Sequence, residues 1–318
     1  MAFKMVLLPP NLHEDWPTKI KNAVPECEVQ LFHNPEAAAT DLEDADAVHG
    51  TIPPHLFMKA KKLKWIAAPM AGLGGKWFHE SLVKSNVTVT NIRGVFNDHL
   101  SAHIMSMVLL FARDLDKYIH QQSTNNWNPL GAATYLPNST ALIIGVGNIG
   151  TETARLCNAF GMKVIGIDPR VTEPPPDVTE LYTPDMLDHV LPKADFVIVT
   201  TPETPNTIGM MNLKRFRLMK PSAYFINVGR GACVVLNDLI EALQSKHIAG
   251  AGLDVFETEP LPKSHQLWTT PGVIITPHVA SLDAPNVSNR RTDILIENCK
   301  RFATGQPLLN IVDKSNWF

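Results

Sequence analysis

Three charged side chains stand just beyond three apolar runs in the second half of the chain. Arg230 follows Ile226-Asn227-Val228-Gly229, Glu259 follows Leu253-Asp254-Val255-Phe256, and His278 follows Ile274-Ile275-Thr276-Pro277. If these runs are parallel strands, their carboxyl ends line a ligand crevice. Arg offers a planar fork for a carboxylate. His exchanges a proton near neutral pH and can act as general acid or base. A Glu beside it would hold the imidazole for that transfer. Each residue alone reads as a surface ion-pair partner or a structural histidine. Together, at successive strand ends, they suit proton-coupled chemistry at a carbonyl.

Upstream, Gly145-Val146-Gly147-Asn148-Ile149-Gly150 is a GxGxxG. The motif alone is weak, and its context strengthens it. It follows an apolar strand (141–144), opens a helix (149–160) and precedes a second strand (163–167) that runs into Asp168. Gly145 permits the turn, Gly147 lets backbone approach a pyrophosphate, and Gly150 lets helix and strand pack closely. The helix N-terminus attracts the phosphates. A dinucleotide is therefore expected. A carboxylate at Asp168 can accept ribose hydroxyls and repel a 2′-phosphate, favouring NAD. Arg170 can offset that repulsion, so NADP is the alternative.

These residues need a frame to position them. The chain has 318 residues, enough for two domains. Apolar residues make up 45% and charged residues 19%, an ordinary globular balance. The net charge of −3 gives no electrostatic footprint for DNA, RNA or an anionic membrane. The longest apolar run, 107–112, is far short of the roughly 18 residues of a membrane span. The opening run 3–8 is too short for a signal-peptide core and reads as a strand. Four dispersed cysteines read as reduced and buried, so a cytoplasmic protein is expected. Cys233, with no base beside it, is not expected to be a nucleophile.

Apolar runs at 4–8, 45–49, 65–68 and 87–91 predict strands separated by helix-length segments. A long helix is predicted over 99–119, capped by Asn97 or Asp98. Further strands are predicted at 196–200, 224–227, 249–253 and 273–276, and a last helix at 287–303. The alternation predicts an α/β protein with parallel sheets. His99 and His103 share a helix face at metal-ligand spacing. No third ligand lies nearby in sequence, so no metal is expected.

Taken in order, the linked motifs resemble those of the D-isomer-specific 2-hydroxyacid dehydrogenases. The matching stretches are the glycine motif with Asp168, then 226–231, then Gly252-Leu253-Asp254-Val255-Phe256-Glu257-Thr258-Glu259-Pro260-Leu261-Pro262, then 274–278, with 93–96 and 310–314 at the flanks. The resemblance implies a Rossmann-type dinucleotide-binding domain (99–282) inserted into a discontinuous flavodoxin-like α/β substrate domain (1–98 and 283–318). It implies reversible reduction of 2-oxo acids to D-2-hydroxy acids. It implies that Arg230 clamps the substrate carboxylate, that His278 carries the proton and that Glu259 partners His278. It places Asn148, Ile149, Thr201, Pro202, Val228, Gly229, Asp254 and Ala280 with the glycines around the cofactor. It assigns the backbone of Ala71, Gly72 and Leu73 to the substrate carboxylate. Here the family's usual Gly-Val-Asp becomes Gly72-Leu73-Gly74, so only the backbone part of that role carries over. A homodimer, exchanging the segment near 99–136, is also implied. Two alternatives stand beside this reading. One is a glyoxylate or hydroxypyruvate reductase of the same family; the other is an NAD-sensing corepressor-type scaffold with little turnover.

Overall fold

The computed structural model describes residues 1–131, 133–281 and 285–318. The chain forms two compact units, Met1–Val95 with Asp283–Phe318, and Phe96–Leu282. The expected boundary at 98/99 would fall inside a helix, α2 (Asn97–Ala112); the first crossing lies ahead of it, at 95/96.

The first unit holds five parallel strands: β1 (Phe3–Leu7), β2 (Cys27–Leu31), β3 (Ala47–His49), β4 (Trp65–Ala67) and β5 (Thr88–Thr90). Their order is β2-β1-β3-β4-β5, the flavodoxin-like order. Strand alternation sends Met5, Leu7, Ala47 and Trp65 to one face. There they meet Trp16 and Ile20 of α1 (Trp16–Ala23) and Leu295, Cys299 and Ala303 of the last helix. A buried bond from Trp16 Nε1 to Thr292 Oγ1 (2.8 Å) ties that helix to α1. Val6, Val48, Ile66 and Val89 pack on the other face. β2 was not foreseen: Cys27-Glu28-Val29-Gln30-Leu31 is a half-polar edge strand without a continuous apolar run.

The second unit is a seven-stranded parallel sheet. Its strands are β6 (Thr140–Ile144), β7 (Lys163–Ile167), β8 (Glu180–Tyr182), β9 (Phe196–Val199), β10 (Tyr224–Asn227), β11 (Gly250–Leu253) and β12 (Val273–Ile275). The order β12-β11-β10-β9-β6-β7-β8 reverses direction between β6 and β9, which is where open sheets bind ligands. The inner strands β9 and β11 are wholly buried and β10 is buried but for the half-buried Tyr224, which is why they read as apolar runs. β8, a short half-buried edge, gave no such signal.

The predicted helix 99–119 is two helices. Asp114 takes a left-handed conformation (φ +54°) and separates α2 from α3 (Leu115–Ser123). The expected cap also shifts: Phe96 occupies that position, and Asp98 Oδ1 instead accepts from its neighbour, His99 N. The last helix, Pro285–Thr304, belongs to the first unit.

Candidate active site

The glycine motif turns from β6 into α4 (Asn148–Ala159). No side chain caps the start of α4, and no acidic residue lies in its first turn, so its leading N–H groups suit an anion. A Cβ on Gly150 would stand 2.1 Å from the Gly145 carbonyl oxygen, whereas one on Gly147 would meet nothing within 4 Å. The loop is closed on its packing side and open on the side where a pyrophosphate would lie. Thr200, at the end of β9, donates from Oγ1 to Gly145 O (2.6 Å) and pins the turn to the switch point. Thr201 and Val228 are buried beside it, with Thr201 Oγ1 3.6 Å from Cys233 Sγ. These residues fit a dinucleotide.

Asp168 stands where its sequence position puts it, beyond β7, but its carboxylate is turned inward. Oδ2 accepts from Val146 N (3.0 Å), and Oδ1 accepts from Arg170 N (2.9 Å) and Val171 N (3.3 Å). Only 2% of Asp168 is exposed, while the Arg170 guanidinium lies largely in solvent, 3.7 Å from Oδ1. Asp168 therefore braces the cofactor loop from beneath.

The three strand-end residues behave differently from one another. His278 has φ +53°, a conformation uncommon for a non-glycine residue. Its Nδ1 lies 2.7 Å from Glu259 Oε2. A carboxylate only accepts, so the Nδ1 carries the hydrogen and Nε2 is the nitrogen left for proton exchange. Glu259 is fixed in turn by Phe256 N, which donates to Oε1 at 2.9 Å. Arg230 is half-buried after β10, with Nη1 donating to Gly229 O (2.6 Å). Burial pulls the guanidinium below its ordinary value, opposed by Cys233, Glu259 and Glu203. It remains the local positive charge.

Asp254, expected beside the nicotinamide, is 1% exposed and engaged on both oxygens. Oδ1 accepts from the Thr276 hydroxyl (2.6 Å) and Val279 N (2.9 Å); Oδ2 accepts from Ala280 N (3.0 Å). It holds the loop that carries His278. His103 of α2 meets this network through Thr276. His99 and His103, four residues apart on α2, were not expected to bind a metal; among the described residues no group of three His, Cys, Asp or Glu could hold one.

In the other unit, the loop after β4 carries Ala71, Gly72 and Leu73, with Ala71 O accepting from Asn91 Nδ2 (2.7 Å). All four cysteines are free and buried. Burial pushes the Cys157 thiol up to about 12 and raises Cys233, which suits packing rather than reactivity. Among the described residues no helix is long and apolar enough to cross a membrane.

The chain is similar to known proteins over most of its length. Residues 105–280 match the sequence model described as "D-isomer specific 2-hydroxyacid dehydrogenase, NAD binding domain". A glyoxylate reductase of Thermococcus litoralis is 32% identical over 306 residues, covering 90% of this chain and 91% of that protein. An NADPH-dependent glyoxylate/hydroxypyruvate reductase from Sinorhizobium meliloti, solved with NADP and sulfate, superposes with a TM-score of 0.86 at 29% identity, covering 99% of this chain and all of that one. A D-isomer specific 2-hydroxyacid dehydrogenase from Xanthobacter autotrophicus, solved with NADPH and MES, gives the same TM-score at 27% identity over the full length of both chains. The chain belongs to the D-isomer-specific 2-hydroxyacid dehydrogenase family of oxidoreductases, with residues 105–280 matching its NAD-binding domain.

Proposed function

We propose that this chain reduces small 2-oxo acids to D-2-hydroxy acids, with glyoxylate and hydroxypyruvate as the first substrates to test. The observation that carries the reading is the His278–Glu259 pair at 2.7 Å, one strand end away from Arg230 in the sheet that holds the glycine motif. The names of the relatives above support the substrate class.

Gly145, Gly147, Asn148, Ile149 and Gly150 would hold the pyrophosphate of NAD(P)H, with Thr201, Pro202, Val228, Gly229 and Ala280 around the rest of the cofactor. Bound NAD(P)H supplies the hydride. Arg230 binds the substrate carboxylate and stabilises the negative charge that develops on the carbonyl oxygen. The backbone of Ala71, Gly72 and Leu73 is the substrate-binding element of the first unit. His278 delivers a proton from Nε2 to that oxygen, while Glu259 stabilises the imidazolium before transfer and keeps the ring oriented. In the reverse direction Nε2 takes the hydroxyl proton.

The working form is a homodimer. Leu115, Tyr118, Ile119, Trp127 and Tyr135 put a large apolar surface in solvent within 113–136, with Trp127 96% exposed. The free thiols suit a reducing compartment, and the cytoplasm is the proposed location. The deciding assay follows NADH and NADPH oxidation with a panel of 2-oxo acids, and light scattering for mass. Turnover with glyoxylate or hydroxypyruvate supports the reading. No turnover with any member, alongside tight NADH binding, overturns it in favour of a cofactor-sensing scaffold.

A further inference from the structure

His103 lies on α2, far in sequence from the strand ends, and has no part in the assignments above. Its Nε2 is 3.0 Å from Thr276 Oγ1 and 3.7 Å from Asp254 Oδ1. The Thr276 hydroxyl has one hydrogen, and it goes to Asp254 Oδ1 at 2.6 Å. Its lone pairs are what remain for His103, so His103 must donate from Nε2. Thr276 is thereby held between a donor and an acceptor, and its rotamer is set. Asp254 in turn accepts from Val279 N and Ala280 N, while its backbone oxygen accepts from His278 N (2.9 Å). His278 N also faces Thr276 O (3.0 Å). The backbone on both sides of His278 is therefore fastened to Asp254, and the residue between is kept at φ +53°. Such a conformation persists only where its surroundings over-determine it.

We propose that His103 is a positioning residue: through Thr276 and Asp254 it holds the His278 loop in the geometry from which Nε2 exchanges its proton. This rests on the role given to His278 above. The chain of contacts runs from helix to hydroxyl to carboxylate to backbone, all within one unit. Loss of the His103 bond frees Thr276 and leaves one support of Asp254 loose. His278 then samples misplaced orientations, and proton transfer slows while cofactor and substrate still bind.

The test measures kcat, KM for glyoxylate and hydroxypyruvate, and NADH dissociation by fluorescence. His103→Phe should lower kcat on the order of tenfold to a hundredfold. NADH dissociation and KM should stay within about twofold. His103→Gln, whose amide N–H can still reach Thr276, should recover most of the loss. Thr276→Val removes the same link from its other end, so the double variant should be no slower than the slower single one. Wild-type kcat in His103→Phe overturns the proposal. So does a loss in His103→Gln as large as in His103→Phe. Should His103→Phe not fold, Thr276→Val against Thr276→Ser carries the comparison, and equal kcat in those two overturns it. His278→Ala separates the two levels. An inactive His278→Ala beside a fully active His103→Phe overturns the positioning alone; an active His278→Ala overturns the role of His278 and the positioning with it.

Discussion

Gly231 and Phe256 lie so close that a Cβ on Gly231 would stand 1.9 Å from the Phe256 carbonyl carbon. The contact keys the loop after β10, which carries Arg230, to the loop after β11, where Phe256 N holds Glu259. The loops that carry Arg230 and Glu259 are thus set relative to each other through a backbone contact. Gly231→Ala should force the two loops apart. We expect a loss of about 1–3 kcal/mol or more in urea unfolding, together with a fall in kcat/KM. Native-like values for both would remove this contact from the site's architecture.

His278→Ala should remove most turnover, on the order of 10²–10⁴-fold, with NADH binding retained. Glu259→Gln keeps the shape and loses the charge, so its deficit should be smaller and in kcat. Steady-state kinetics beside NADH fluorescence titration resolve these. Equal deficits in both variants would mean that Glu259 carries more than orientation.

Arg230→Lys keeps a cation and discards the fork. Hydrogen bonds to a charged group are worth about 1.5–3 kcal/mol, so kcat/KM for 2-oxo acids should fall roughly 10–100-fold. A 2-oxo acid amide, lacking the carboxylate, should show a much smaller change. An identical change in acid and amide would sink the carboxylate clamp.

Asp168 supports the cofactor loop through Val146 N and also sets the local charge. Asp168→Ala should therefore weaken NADH and NADPH together, and weaken NADH more. Arg170→Ala should weaken NADPH selectively, since its guanidinium is the exposed cation at the end of β7. Dissociation constants of both cofactors for both variants provide the check. An unchanged NADPH to NADH ratio in both would take 2′-phosphate selection away from this pair.

His49, buried at the end of β3 against Trp16, is held neutral. Burial first, then the Arg291 charge and His13, pull its pKa from 6.5 to about 3. Between those values the unfolded chain binds a proton that the folded one does not. Stability is therefore intact above 6.5 and is lost as pH falls towards 3. At about pH 4.5 the loss amounts to roughly 2–3 kcal/mol. His49→Phe keeps an aromatic ring against Trp16 and should flatten this acid limb in urea titrations across pH. An acid limb as steep as wild type would assign it to other groups.

Much of this protein was legible along the chain because the relevant signals are local. Glycine spacing around Gly145–Gly150 dictates its own turn. The buried strands β9, β10 and β11 announce themselves as apolar runs; Arg230 follows β10, Glu259 follows β11, and His278 follows the half-buried β12. Edge strands escaped because Glu28, Gln30 and Glu180 break the apolar pattern where one side faces water. The break at Asp114 escaped because a single left-handed residue leaves the helical periodicity on either side intact.

What the sequence determined by itself is the family, a glycine turn for a dinucleotide and parallel sheets to carry it, with Arg230, Glu259 and His278 marked as strand-end residues whose roles the variants above test. What only the tertiary structure decided is the direction of each buried carboxylate. Asp168 and Asp254 both sit where a ligand-facing acid was expected, and both are turned inward onto backbone N–H groups. A buried carboxylate must find donors, and although Arg170 N and Val171 N are Asp168's neighbours in sequence, Val146 N, Val279 N and Ala280 N lie on distant loops that no spacing along the chain could reveal. The same reason hides His103. Its partner Thr276 is brought to it by the sheet, and the hydrogen bond between them exists only once the fold has closed.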